Sequence, residues 1–233
     1  MKKLLFIVLL IATNSFSQKI NYFNYDLFLR NYVTEAGVVD YDKIYKNKEA
    51  LSKVLTDFEK TQPNIYWSNK ESIAFWINSY NLYSIKIVID NYPIKSIREI
   101  GDAWNKNFIP SRGALISLNY IDNEILKSLN EPRYHFAINC TSYSCPNFRQ
   151  EPYEAEKIGS QLEDCAITFI NDKTKNTITP RKAILSKIFD WYKPEFTLDG
   201  TLIQFLNKYS EVKIKDDAAI IYEEYDWNLR KVN

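Results

Sequence analysis

Ser68-Asn-Lys-Glu-Ser-Ile-Ala-Phe-Trp-Ile-Asn-Ser-Tyr-Asn-Leu-Tyr-Ser-Ile-Lys-Ile-Val-Ile-Asp-Asn91 is the stretch that decides the fold. Ser68 and Glu71 form a capping-box pattern: the Ser hydroxyl can take the third helical amide while the Glu carboxylate reaches back to the cap. From Ile73 to Ile89 the run is apolar on most sides, which predicts a helix over 69–91 buried in the middle of a domain. It stops before Pro93, which cannot continue a helix. One line departs from the apolarity. Asn78, Asn81 and Ser84 recur every three residues and share a face. A buried carboxamide is costly unless hydrogen-bonded, so this line either holds a structural network or faces a site.

Around this helix the pattern predicts an α+β fold, a helix-rich single domain with a small, mainly antiparallel sheet. Upstream, 22–34 and 43–60 carry apolar residues at helical spacing, separated by a break or short strand at Gly37–Tyr41. Downstream, 94–117 is irregular and 119–129 is helical. Tyr134 to Asn139 reads as a strand, 154–171 as an amphipathic helix with Cys165 on its core stripe, and 176–179 as a strand. Residues 186–192 and 199–209 read as helices broken at Pro194, and 211–215 with 218–222 as a β-hairpin.

The first 17 residues have the form of an export signal. Lys2 and Lys3 precede a nine-residue apolar run, Leu4 to Ala12, too short to span a bilayer. Ser15 and Ser17 place cleavage before Gln18, leaving one globular domain over 18–233 in the periplasm or outside the cell. Removing two lysines from a formal charge of +1 leaves −1. A near-neutral chain has no general attraction for nucleic acid or for a membrane after the signal is cut. Five glycines, with no Walker or dinucleotide pattern, point away from phosphate-loop cofactors, and one His with three Cys gives no metal-ligand spacing. No cofactor is expected.

Chemistry near neutral pH concentrates in Arg133-Tyr-His-Phe-Ala-Ile-Asn-Cys-Thr-Ser-Tyr-Ser-Cys-Pro146, which holds the only histidine and two of the three cysteines. The segments Ala74-Phe-Trp-Ile-Asn-Ser-Tyr-Asn81, Pro132-Arg-Tyr-His-Phe-Ala-Ile-Asn-Cys140, Ser144-Cys-Pro146, Leu185-Ser-Lys-Ile-Phe-Asp-Trp191 and Tyr225-Asp-Trp-Asn-Leu229 occur in that order. Together they resemble the domain of unknown function 547 family, exported bacterial type, over about 37–229. The resemblance implies no particular reaction.

Three readings of the 133–146 stretch stand at this point. In the first, a thiol-dependent hydrolase or transferase uses Cys145 as nucleophile, His135 as base and Asn78 as the carboxamide that orients the imidazole. Strand alternation would turn Cys140 away from His135, which favours Cys145 from the loop beyond. In the second, Cys140 and Cys145 close a disulfide, as an oxidising compartment allows. In the third, the chain is a non-catalytic binding module for a small molecule, a peptide or a protein partner. Trp76, Trp104, Trp191 and Trp227 then line a groove, and Asn81, Asn139, Cys140 and Arg112 are further candidate binding residues. The site is expected where the 140–146 loop meets the Asn78/Asn81 face of the central helix, with His135 at its wall.

Overall fold

Three short helices, α1 (Phe23–Tyr32), α2 (Tyr41–Lys46) and α3 (Lys48–Lys60), lead into the central helix α4 (Asn69–Asp90). The structure is a computed structural model describing residues 20–232; the expected signal and the cleavage point before Gln18 lie outside the described residues. The capping box forms as the pattern predicts. Ser68 Oγ accepts from the Glu71 amide at 3.2 Å, and the Glu71 carboxylate accepts from the Ser68 amide at 2.8 Å. Sixteen of the 22 residues of α4 are buried, so the helix has no solvent face of any width. Fully buried Ile77, Leu82 and Ile85 each contribute roughly 1.5–3 kcal/mol by leaving water.

α4 has an aromatic cluster on each side. On one, Phe58 of α3 stacks on Phe75 at 5.5 Å and meets Tyr25 of α1 edge-on at 5.3 Å. On the other, Phe136 stacks on Phe169 and Phe196, both at 5.3 Å. That second cluster decides the conformation of 132–136. The expected strand at Tyr134–Asn139 is not formed; Pro132–Phe136 is a 3-10 turn. Pro132 is preset for a first helical position, and the Glu131 side chain accepts from the Arg133 amide at 3.3 Å. Tyr134, His135 and Phe136 are all buried, so the run shows no alternation, and an unbroken buried run does not distinguish a strand from a helical turn.

After α4, a hairpin of β1 (Ile109–Ser111) and β2 (Ala114–Ile116) occupies the stretch expected to be irregular. Its two-residue turn is Arg112-Gly113, both with positive φ, 48° and 81°. The 118–129 segment is α-helical at α5 (Leu118–Tyr120), widens to a π turn over Ile121–Leu126 and tightens to 3-10 over Lys127–Leu129. α6 (Ile158–Asn171) packs against the 132–136 turn.

The second sheet is β3 (Thr177–Thr179), β4 (Lys182–Leu185) and β5 (Ala219–Tyr222), with short helices α7 (Ile188–Trp191), α8 (Lys193–Phe196) and α9 (Leu202–Leu206) between β4 and β5. The β3–β4 pair is antiparallel and the β4–β5 pair parallel. The expected hairpin of 211–215 with 218–222 is therefore corrected. Asn207 holds both backbone groups of Ile214, each at 2.8 Å, while β5 pairs with β4.

Candidate functional site

Asn78 and Asn81 each clamp a loop to α4. Asn78 Nδ2 donates to the Tyr153 carbonyl at 2.8 Å, and its Oδ1 accepts from the Tyr153 amide at 2.9 Å. Asn81 Nδ2 donates to the Ala137 carbonyl at 2.9 Å, and its Oδ1 accepts from the Asn139 amide at 2.8 Å. Asn78 thus imitates a strand partner for Tyr153 and Asn81 bridges the backbone on either side of Ile138, which makes these buried side chains structural. Asn139 continues the scaffold, accepting from the Thr141 amide at 2.5 Å and donating to the Pro146 carbonyl.

Cys140 and Cys145 are joined in a disulfide. The loop they close is laid on the C-terminal tail: Tyr143 and Ser144 donate their amides to the Asn228 and Asp226 carbonyls, and the Arg230 amide donates to the Thr141 carbonyl. The Tyr225 hydroxyl sits 3.3 Å from both sulfurs. This pairing brings Tyr225 and Trp227 over a cavity of about 230 Å³.

The cavity lies where the 140–146 loop meets α4, but α4 turns Tyr80 toward it, not Asn78 or Asn81. Aromatic rings make its walls. Trp227 lies 4.5 Å from Tyr225, 5.4 Å from Trp104 and 5.7 Å from Trp191. The polar side chains on the lining are His135, Asp122 and Asn119, with the tyrosines; the residues His135 and Asp122 are only 2% and 4% exposed. His135 stacks on Tyr192 at 3.6 Å, and its Nε2 lies 3.0 Å from Glu195 Oε2. Asp122 Oδ2 accepts from the Tyr192 hydroxyl at 3.0 Å. The remaining atoms, His135 Nδ1 and Asp122 Oδ1, lie 3.9 Å apart, too far for a direct bond. Neither has a hydrogen-bond partner among the described residues.

Burial pushes the Asp122 carboxyl above its ordinary range, against the His135 charge and the Tyr134 and Tyr192 hydroxyls. Burial pushes Glu195 up as well, but the His135 hydrogen bond and charge, with Lys127, outweigh it and hold that carboxyl below its ordinary range. Two adjacent acids are thus driven apart.

The expected catalytic triad is not assembled. Cys145 is fully buried, its sulfur bonded to Cys140 and approached by Ser142 and Tyr225. His135 is engaged by Glu195, and Asn78 by Tyr153. Of the two sulfur residues, Cys140 is the one on the cavity wall; the preference for Cys145 depends on a strand that does not form. Trp76 is buried edge-on against Phe75, away from the cavity. Arg112 is at the β1–β2 turn, donating to the Pro63 carbonyl at 3.0 Å. Trp104, Trp191 and Trp227 do meet at the cavity as the groove reading expects.

Asp122, Glu195 and Tyr192 belong to the candidate site but are not among the residues named from the sequence. Asp122 has a signal: Leu118, Asp122 and Leu126 recur every four residues, placing an acid on an apolar stripe. Glu195, between Pro194 and Phe196, has none. Among the described residues no three His, Cys, Asp or Glu side chains are grouped to hold a metal ion, and no helix is long and apolar enough to cross a membrane.

Comparison with curated proteins and with solved structures gives no match. Residues 65–170 match a family model, a narrower span than the sequence motifs suggest. It takes in α4, the His135 turn and the disulfide loop, and it leaves out Trp191, Glu195 and the C-terminal wall. The family is described as "Protein of unknown function, DUF547", and over that span the chain is similar to it.

Proposed function

We propose that this is an exported, non-catalytic ligand-binding domain, acting in the periplasm or outside the cell. A small molecule, or the end of a peptide, seats in the His135–Asp122 cavity, and the Cys140–Cys145 disulfide is a structural clamp on its wall. The observation that carries this reading is an aromatic-walled cavity with buried His135 and Asp122 among its lining residues, each with one side-chain atom that has no hydrogen-bond partner among the described residues. Leaving a buried polar atom without a hydrogen bond costs about 1–3 kcal/mol, so an acid and an imidazole kept at the cavity wall in this state are marked as functional candidates. Ligand sites are commonly apolar clefts with a few convergent polar groups, which is what this cavity offers. Export is supported by the basic and apolar leader and by the disulfide, a bond that persists in oxidising compartments.

Three tryptophans line the cavity, so intrinsic fluorescence reports on its occupancy. A panel of small amines, amino acids, sugars and carboxylates titrated into the mature protein is expected to yield saturable hits that Trp227→Ala weakens. If no compound responds, or hits bind Trp227→Ala equally well, the reading fails.

The thiol hydrolase or transferase reading keeps one supporting observation, Cys140 on the same cavity wall as His135. It requires an external dithiol to reduce the bond to two thiols. Alkylation of protein taken from its native compartment, read by mass spectrometry, separates the two. A free thiol at 140 or 145 that reacts faster than buried Cys165 is what the thiol reading needs; a closed pair is what the binding reading expects.

A further inference from the structure

Beyond the ligand reading, we infer that Cys140 is a site of thiol–disulfide exchange: a low-molecular-weight thiol attacks its sulfur, and Cys145 leaves as a buried thiolate.

The two halves of the bond differ in access. Cys145 is fully buried, while Cys140 is partly exposed and is among the residues lining the aromatic cavity. Exchange depends on which sulfur an incoming thiolate can reach. Burial closes the Cys145 side to it and leaves the Cys140 side.

The sulfurs differ also in the donors around them. Cys145 Sγ accepts from the Cys140 amide at 3.1 Å and from the Ser142 amide at 3.3 Å. A disulfide sulfur carries no hydrogen, so the neighbouring hydroxyls donate to it. Ser142 Oγ stands 3.0 Å from Cys145 Sγ and 3.4 Å from Cys140 Sγ, and the Tyr225 hydroxyl 3.3 Å from each. The hydroxyls thus reach either sulfur, whereas both amides are given to Cys145. Sulfur in its neutral state is a weak acceptor. Four donors around one sulfur suit a thiolate, because hydrogen bonds to an ionised acceptor are roughly twice as strong. The thiolate that is better stabilised is the one that leaves faster.

The backbone is bent to make this arrangement. Thr141, between the two donating amides, has φ 73°, a left-handed conformation that a β-branched residue rarely adopts. Its own amide is drawn off by the Asn139 side chain at 2.5 Å. Amides converging in such a turn form a concavity suited to an anion. Backbone strain of this kind clusters at functional sites.

The incoming thiol balances the step. It gives its proton to solvent, and its sulfur bonds to Cys140 Sγ. The Cys140–Cys145 bond breaks, and the bonding pair goes to Cys145 Sγ. The incoming sulfur is oxidised to the disulfide level and Cys145 is reduced to a thiolate. The product is a mixed disulfide on Cys140 beside a free Cys145. In an oxidising compartment without such a thiol the bond stays closed.

The test incubates the mature protein, its bond closed and no ligand added, with glutathione or with 2-mercaptoethanol. N-ethylmaleimide stops the exchange, and fragment-ion mass spectrometry maps both adducts. The thiol adduct is expected on Cys140 and the maleimide on Cys145. Ser142→Ala removes the nearest donor to Cys145 and should slow opening by about threefold or more; a purely structural Ser142 would instead loosen the loop and speed it. A thiol adduct on Cys145, or one shared equally by the two cysteines, overturns the direction of exchange. Opening that is unchanged or faster in Ser142→Ala overturns the leaving-group account. Protein that exchanges only after unfolding in urea overturns the site itself. No cavity ligand takes part, so none of these outcomes touches the ligand reading.

Discussion

Asp122 carries the most consequence of any single residue. Its carboxyl is buried and held above its ordinary value of 3.8, while Glu195, across His135, is held below its ordinary 4.5. The two shifts tie stability to pH with opposite signs. For a raised group the contribution to stability is complete below the unfolded value and is lost as pH rises through the folded one. For a lowered group it is present above the unfolded value and lost as pH falls through the folded one. Asp122→Asn should therefore gain stability relative to the parent as pH rises from about 3 to about 8, and Glu195→Gln should lose it over the acidic part of that range. Urea midpoints measured across the range check both; parallel profiles would contradict them. The neutral-pH gain of Asp122→Asn should come with lost ligand binding, because a buried acid kept at a cost to stability is the sign of a functional group. Part of this is legible in the residues. His135 and the three tryptophans stand out by type, and the Leu118/Asp122/Leu126 spacing marks a buried acid. Glu195 is not legible: one acid beside a proline, among many solvated ones, shows no periodicity.

At the level of elements, what can be read tracks how local the determining forces are. α4 is readable because its cap, its apolar run and its terminating proline lie within one stretch, and Ser68 and Glu71 behave as their chemistry requires. The 132–136 turn is not, because the Phe136 stack on Phe169 and Phe196 comes from residues more than 30 positions away. The parallel pairing of β5 with β4 is non-local in the same way. Glycines show the local rule at two strengths. Gly113, in the β1–β2 turn at φ 81°, has open space where a Cβ would go, so Gly113→Ala should cost only the left-handed penalty, about 1–2 kcal/mol. Gly37, at φ 68°, is backed by Asn147 Cβ and the Phe148 carbonyl oxygen, each 2.6 Å from where a Cβ would stand. Gly37→Ala must bear that penalty and also push away the chain leaving the disulfide loop. Thermal unfolding should rank Gly37→Ala clearly below Gly113→Ala; equal midpoints would mean the 147–148 backbone yields freely.

The whole molecule closes on its C-terminal tail. Ser142 bridges to Leu229, Ser96 to Asn228 and Val39 to Lys231, so the tail joins the disulfide loop, the segment after α4 and the turn before α2. Trp227 and Tyr225 reach the cavity only because this pairing holds them there, and the pairing rests on a loop whose ends are tied by Cys140 and Cys145. For so short a loop the chain-entropy model gives the bond about 2 kcal/mol. The double variant Cys140→Ser/Cys145→Ser should lose about that much in urea unfolding. The loss should not be spread evenly. Amide exchange is expected to speed up at Tyr143, Ser144 and Arg230, whose N–H groups tie the loop to the tail, and to stay slow in α4, whose bonds are buried on every side. Ligand affinity should fall with the tail, since the Trp227 wall loosens while His135 and Asp122, held by Glu195 and Tyr192, keep their places. A variant with unchanged tail exchange and unchanged affinity would show that the disulfide does not organise the cavity, and a uniform rise in exchange would show that it stabilises the fold without regard to the site.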